Sequence, residues 1–239
     1  MKARVLILRA AGVNCDAELE TGFQWCGAQP ERVHINALLG GHKKLHEYDV
    51  LALAGGFSYG DHIAGGRVLA NEVKKIRGLK EFVSSGKPVL GICNGFQVLV
   101  KAGFLPGNPG DPQTASLTYN ASGRFECSWA RVKVEGKSFF TKGLPDVLDL
   151  PVAHGEGRFV APDKVLDGLD GQVVFRYQDN PSASMRDIAG ITNRKGNVLG
   201  MMPHPERFLT AWHHPTKKKV ADKELGLQIL KNTVDHVKG

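Results

Sequence analysis

Short apolar runs without polar interruption, separated by helix-patterned segments, constrain this chain more than any other feature. Val5-Leu6-Ile7-Leu8 shows no period-2 alternation, so as a strand it must be buried on both faces. Val33-His34-Ile35, Asp49-Val50-Leu51-Ala52-Leu53-Ala54 and Pro88-Val89-Leu90-Gly91-Ile92 read as the next three strands. After the first strand, Leu19, Phe23 and Cys26 recur at helical spacing behind a cap at Asn14 or Asp16. After the third, Leu69, Val73, Ile76 and Val83 share one face of a helix that Gly86 closes. Another helix follows Cys93 through Gln97, Leu99 and Val100. Strands buried on both faces and joined by crossover helices make a parallel sheet. The expected fold is α/β, with a doubly wound, mostly parallel sheet.

From Gly107 onward the texture changes. Residues 125–134 alternate in part like an antiparallel strand, and residues 173–177, 188–193 and 198–201 supply further strands. These would add antiparallel strands in the second half. A last helix is expected over residues 220–237, with Leu225, Ile229, Val234 and Val237 on or near its apolar side. No repeat or low-complexity linker divides the chain, so residues 1–239 are read as one domain.

Composition excludes several classes. With 42% hydrophobic and 23% charged residues the chain is globular rather than disordered. No run reaches the ~18 apolar residues of a membrane span, and the first apolar segment is too short for an export signal. A cytoplasmic location without membrane partners is the expectation. Cys15, Cys26, Cys93 and Cys127 contain no Cys-x-x-Cys pair and are read as free thiols, with Cys127 as packing. The net charge of +7 includes Lys217-Lys218-Lys219, which lacks interleaved aromatics and reads as a solvated flank. Nucleic acid is therefore not an expected partner. His213-His214 has no accompanying cysteine or carboxylate cluster, so no metal is expected.

The chemistry concentrates at Gly91-Ile92-Cys93-Asn94-Gly95-Phe96-Gln97, on a strand-to-helix junction. A cysteine ending a strand is commonly just core. Glycines two before and two after it, however, permit the sharp turn that lifts a nucleophile out of a sheet. The helix dipole would favour its thiolate, and the Asn94 N–H would face a developing oxyanion. Met202-Pro203-His204-Pro205-Glu206 supplies a base and a carboxylate to orient it, on one side of the segment if that is extended. Alone this is a proline turn; with Cys93 it completes a Cys-His-Glu triad. Gly55-Gly56-Phe57, at the end of the third strand, offers a second oxyanion donor at Gly56. Neither the dinucleotide fingerprint nor the phosphate-loop pattern is present.

Together these motifs resemble the triad-type (class I) glutamine amidotransferases, whose sheet is flavodoxin-like. Gly12-Val13-Asn14-Cys15-Asp16, Gly55-Gly56-Phe57-Ser58-Tyr59-Gly60-Asp61, His154-Gly155-Glu156-Gly157-Arg158-Phe159 and Met201-Met202-Pro203-His204-Pro205-Glu206-Arg207 are most similar to one branch. That branch comprises the glutaminase subunits of phosphoribosylformylglycinamidine synthase in purine biosynthesis. The resemblance implies that Cys93 forms a thioester with glutamine, His204 moves the proton and Glu206 holds His204. It implies oxyanion or substrate contacts at Gly56, Phe57, Asn94, Gln97, His154, Gly155 and Glu156. It implies no cofactor in this chain, ATP and magnesium on a partner synthetase subunit, and room for a small accessory subunit. Residues 208–219 depart from the branch as an insertion. The residues leave two other readings open, a stand-alone cysteine hydrolase and a non-catalytic nucleic-acid-binding module.

Overall fold

A computed structural model of the chain describes residues 2–216, 221 and 225–239. Its first half alternates strands and helices: β1 (Arg4–Arg9), α1 (Asp16–Trp25), β2 (Gln29–His34), α2 (Ile35–Leu39), β3 (Val50–Leu53), α3 (Arg67–Val73), α4 (Leu79–Ser84), β4 (Val89–Ile92) and α5 (Asn94–Lys101). The second half is strand-rich: β5 (Ser116–Thr118), β6 (Glu126–Val134), β7 (Val147–His154), β8 (Arg158–Val160), α6 (Asp163–Asp167), β9 (Val173–Tyr177), β10 (Ile188–Thr192), β11 (Val198–Met201) and α7 (Leu227–Lys238).

Nine strands form one sheet in the order β2-β1-β3-β4-β11-β10-β9-β6-β7, flanked by helices, while β5 and β8 pair separately. The five strands from β2 to β11 are mutually parallel, and each remaining neighbour pairs antiparallel. Four antiparallel pairings between β11 and β7 leave only β10 and β6 running against the other strands. The carboxyl ends of β1, β3, β4, β11, β9 and β7 therefore all meet at one edge, where α/β sheets place their ligands. Every residue of β3, β4 and β11 is buried, as the unbroken apolar runs require.

The structure corrects several local expectations. The helix expected up to Gly86 is two, because Gly78 turns left-handed with φ +78° and starts α4 afresh. The second strand begins earlier, at Gln29, and includes Pro30. Proline lacks the ladder N–H, but β2 is an edge strand and tolerates it. Ile35 belongs to α2, where the His34 ring accepts from the Asn36 N–H at 3.2 Å. Cys15, not Asn14 or Asp16, precedes α1, and Asp16 pairs with Arg9 at 2.8 Å. β7, also an edge strand, carries Pro151 and was not anticipated despite alternating burial along its length. The last helix begins at Leu227; Val220 and Lys217-Lys218-Lys219 lie outside the described residues. Among the described residues, no helix is long and apolar enough to cross a membrane.

Candidate active site

Cys93 stands between β4 and α5 with φ +50° and ψ −104°, a conformation an L-residue adopts only when its surroundings impose it. The surroundings are Gly91 and Gly95. A Cβ on Gly95 would collide with the Leu53 carbonyl of β3, and one on Gly91 would lie 2.5 Å from Leu99. The two glycines let α5 lie against β3 and β4, and that packing holds the elbow. Cys93 is buried, with Sγ 3.6 Å from the Ala153 carbonyl oxygen at the end of β7.

His204 follows β11, the strand beside β4, so its side chain returns to the same edge. Its backbone N–H donates to the Pro151 carbonyl of β7 at 2.8 Å. Pro205–Arg207 forms a 3-10 turn, not an extended segment, and this turn brings Glu206 back onto the imidazole. Glu206 Oε1 lies 2.6 Å from His204 Nδ1 with both side chains buried. Nδ1–H donates there, which leaves Nε2 for proton transfer with the Cys93 thiol, a side chain that interacts with this imidazole. Burial opposes the imidazolium, but the negative charges available at Glu206 and Cys93 outweigh it and hold His204 well above its ordinary pKa.

Cys15 joins this group unexpectedly. Its Sγ lies 4.0 Å from His204 Nδ1, and Arg207 Nη2 donates to it at 3.0 Å. Cys15, His204 and Glu206 bring sulfur, nitrogen and oxygen donors within 4.8 Å of one another. Arg207 supplies the positive charge beside that cluster.

The Gly56 and Asn94 peptide N–H groups, at this edge, have no backbone acceptor among the described residues. Asn94 opens α5, where the first turn's donors have no intrahelical partner. Gly56 has φ +142°, and a Cβ there would lie 2.6 Å from the Gly12 carbonyl oxygen. Phe57 contributes differently, since its N–H is taken by Gly12 at 2.8 Å. Its ring is partly exposed, 6.0 Å from that of Phe125.

The remaining expected residues build one polar wall. Gln97 Nε2 donates to the Glu156 carbonyl at 2.8 Å, and Gln97 Oε1 accepts from Asn94 Nδ2 at 2.9 Å. Both oxygens of the Glu156 carboxylate are 3.0 Å from the Gly65 N–H. The Gly155 carbonyl accepts from the Asn120 N–H at 2.9 Å.

Asn120, which no motif pointed to, orients His154. Its Nδ2 donates to the carbonyls of Arg124 and His154 at 2.8 and 2.7 Å, which leaves Oδ1 facing His154 Nδ1 at 3.0 Å. Oδ1 can only accept, so Nδ1 carries the proton and Nε2 is a bare, buried acceptor. Burial, with the nearby His204, pushes the His154 pKa down to about 4 from the ordinary 6.5. The unfolded chain thus takes up this proton at higher pH than the folded one. Between pH 6.5 and pH 4 the group should remove about 3 kcal/mol of stability as pH falls. Denaturant titrations across that range should show the slope in the parent and lose it in His154→Asn.

Tyr177, at the end of β9, was also missed; burial and the neighbouring Cys93 raise its pKa. Cys127, expected in the core, is exposed. It sits near the start of β6, where Cys127 and Ser128 are both exposed; only Ala130 and Val132 of this strand are buried. Of the residues expected to form an insertion, Phe208 is buried edge-on against Trp129 at 5.0 Å and His214 lies 4.4 Å from the same ring.

An elbow thiol, a buried His–carboxylate pair and two open amides at one sheet edge form the apparatus of enzymes that attack an acyl carbon with sulfur. The chain belongs to the family described as the CobB/CobQ-like glutamine amidotransferase domain, which matches residues 2–237. A phosphoribosylformylglycinamidine synthase subunit PurQ from Dehalococcoides mccartyi is 44% identical, covering 98% of this chain and 97% of its own. One from Methanococcus maripaludis C5 is 40% identical over 99% of both chains. Among solved structures, a chain of PurLQS from Thermotoga maritima superposes with a TM-score of 0.81 at 31% identity, covering 99% of each chain. A glutamine amidotransferase from the same organism shares the fold, with a TM-score of 0.61 at 21% identity over 99% of this chain and 98% of its own.

Proposed function

We propose that this chain is the glutaminase subunit of a phosphoribosylformylglycinamidine synthase, built as one amidotransferase domain. It hydrolyses glutamine and passes ammonia to an ATP-dependent synthetase subunit in purine biosynthesis. The observation that carries the reading is the union of near-full-length similarity to PurQ subunits with an intact elbow thiol and His–Glu pair at one sheet edge. ATP and magnesium belong to the synthetase, and a small accessory subunit completes the assembly; the solved PurLQS relative is the precedent. The setting is the cytoplasm.

Cys93 Sγ attacks the side-chain amide carbon of glutamine, and its proton passes to His204 Nε2. The oxyanion is met by the Asn94 and Gly56 N–H groups. His204 then returns the proton to the departing nitrogen, ammonia leaves, and a glutamyl thioester remains on Cys93. Water attacks the thioester, giving one proton to His204 and releasing glutamate with the thiol restored. Glu206 keeps Nδ1 protonated and the ring aimed throughout. Gln97, His154, Gly155 and Glu156 shape the wall that receives the amino-acid end of glutamine, and Phe57 borders the entrance.

Glutamate release is the test. The chain mixed with synthetase, accessory subunit, ATP and formylglycinamide ribonucleotide should release one glutamate per amidine formed. Amidine formation from ammonia alone, with no glutamate from glutamine, would refute the reading.

A further inference from the structure

Lys101 ends α5 in a position where a lysine is expensive. It is only 1% exposed, and removing an ammonium from water costs several kcal/mol unless its partners compensate. A leucine would fill the space at no such cost, so the partners are the informative part. Nζ donates to the Gly65 carbonyl at 2.6 Å and to the Leu117 carbonyl at 3.1 Å, and stands 3.9 Å from Glu156 Oε2. Glu156 in turn takes the N–H of the same Gly65. One residue is thus gripped at its C=O by a cation and at its N–H by an anion. Nothing in the hydrolysis uses Lys101.

Gly65 lies near the end of the loop 55–66, whose beginning carries the Gly56 amide. Two further bonds tie that loop to α5: the Ser58 N–H to Asn94 Oδ1 at 3.3 Å, and Asn94 Nδ2 to Asp61 Oδ1 at 3.2 Å. Asn94 and Lys101 are the first and last residues of α5. The helix that aims Cys93 thereby also pins the loop at both ends of its own length. Resting on the glutaminase reading above, we propose that Lys101 is a positioning residue that locks the loop 55–66 against Glu156 and so sets the affinity for glutamine.

The lock depends on charge. Asp61 on the loop and Glu156 after β7 face the ammonium as counter-charges, and Arg67 from α3 opposes it. Burial, partly offset by Glu156, pushes the Lys101 pKa down to about 8. Above that pH the amine is neutral, and the buried Glu156 and half-buried Asp61 repel one another without a counter-charge, so the loop loosens.

The assay is steady-state glutaminase activity in the complex with synthetase, ATP and ribonucleotide, as a function of pH. In the parent the KM for glutamine should climb as pH passes about 8, while ammonia-driven amidation keeps its own profile. Lys101→Met should raise KM about tenfold at pH 7, the scale of a charge-assisted bond, and abolish the alkaline climb. A purely structural lysine would lower the melting temperature and leave both unchanged. Should Lys101→Met fail to fold, NMR of 13Cε-lysine in the parent chain replaces it. A lysine titrating near pH 8 in step with KM supports the lock, and a KM that ignores that titration overturns it. Parent-like KM and alkaline limb in Lys101→Met overturn the lock alone, because the parent still hydrolyses glutamine. A parent without any glutaminase activity overturns the glutaminase reading and the lock with it.

Discussion

Cys93→Ala is expected to abolish glutamine-dependent amidation, by roughly three orders of magnitude or more, because the substitution removes the only group that forms the thioester. Amidation supplied with free ammonia should survive at close to the parent rate, since the synthetase then needs nothing from the elbow. The geometry makes this a clean substitution. Cys93 Sγ contacts the Ala153 carbonyl and the His204 imidazole, so the loss of the thiol leaves few bonds unmade. The strained φ of +50° is imposed by packing around Gly91 and Gly95, which alanine does not alter. Rates measured side by side with glutamine and with ammonium chloride check this. Equal loss with both nitrogen sources would mean the variant fails to assemble.

The second large effect concerns the partner. Free ammonia is lost to water, so hydrolysis uncoupled from the synthetase is unproductive. Gly56 stands where a partner can act on it, at the start of a loop whose neighbouring Phe57 ring is 43% exposed and whose Ile63 is 81% exposed. Glutamate release by the chain alone should be slow, and should rise on the order of a hundredfold when the synthetase is loaded with ATP and ribonucleotide. A single oxyanion donor moved into position is worth about that much. Steady-state glutamate production with each component omitted in turn measures the effect. The net charge of +7 adds that association slows as salt rises above ~0.15 M if the facing surface is acidic.

Within the parallel half, β1, β3, β4 and β11 were readable because each is a short run with an apolar, buried interior, whereas the edge strand β2, Gln29–His34, is mostly polar and its start was not. β7 was not, because Pro151 interrupts an alternating pattern that otherwise predicts a strand, and only its place at the sheet edge makes the proline harmless. Cys93, His204 and Glu206 were legible as short motifs, and their meeting was expected from the triad they complete; the pairing of β4 with β11, with Val89 beside Val198, is what brings His204 back to the Cys93 edge. The sequence leaves open whether the segment that folds Glu206 onto His204 is extended or a turn, because local spacing does not distinguish a 3-10 turn beside prolines from a strand end. Asn120, Tyr177, Arg207 and Lys101 act through partners remote in sequence, and no spacing rule reaches them. Cys15 was visible in its motif, but its contact with Arg207 spans 192 residues.

Mapping a glutamine-mimicking electrophile tests the central claim most directly. Cys15 is buried against Arg207, burial pushes the Cys26 thiol up to about 12, and Cys127 is exposed but has no base. Peptide mass spectrometry after one equivalent of reagent should find the label on Cys93, and excess glutamine should protect it. Label on Cys15 or Cys127 first, or labelling of Cys93 that glutamine does not slow, would contradict the account.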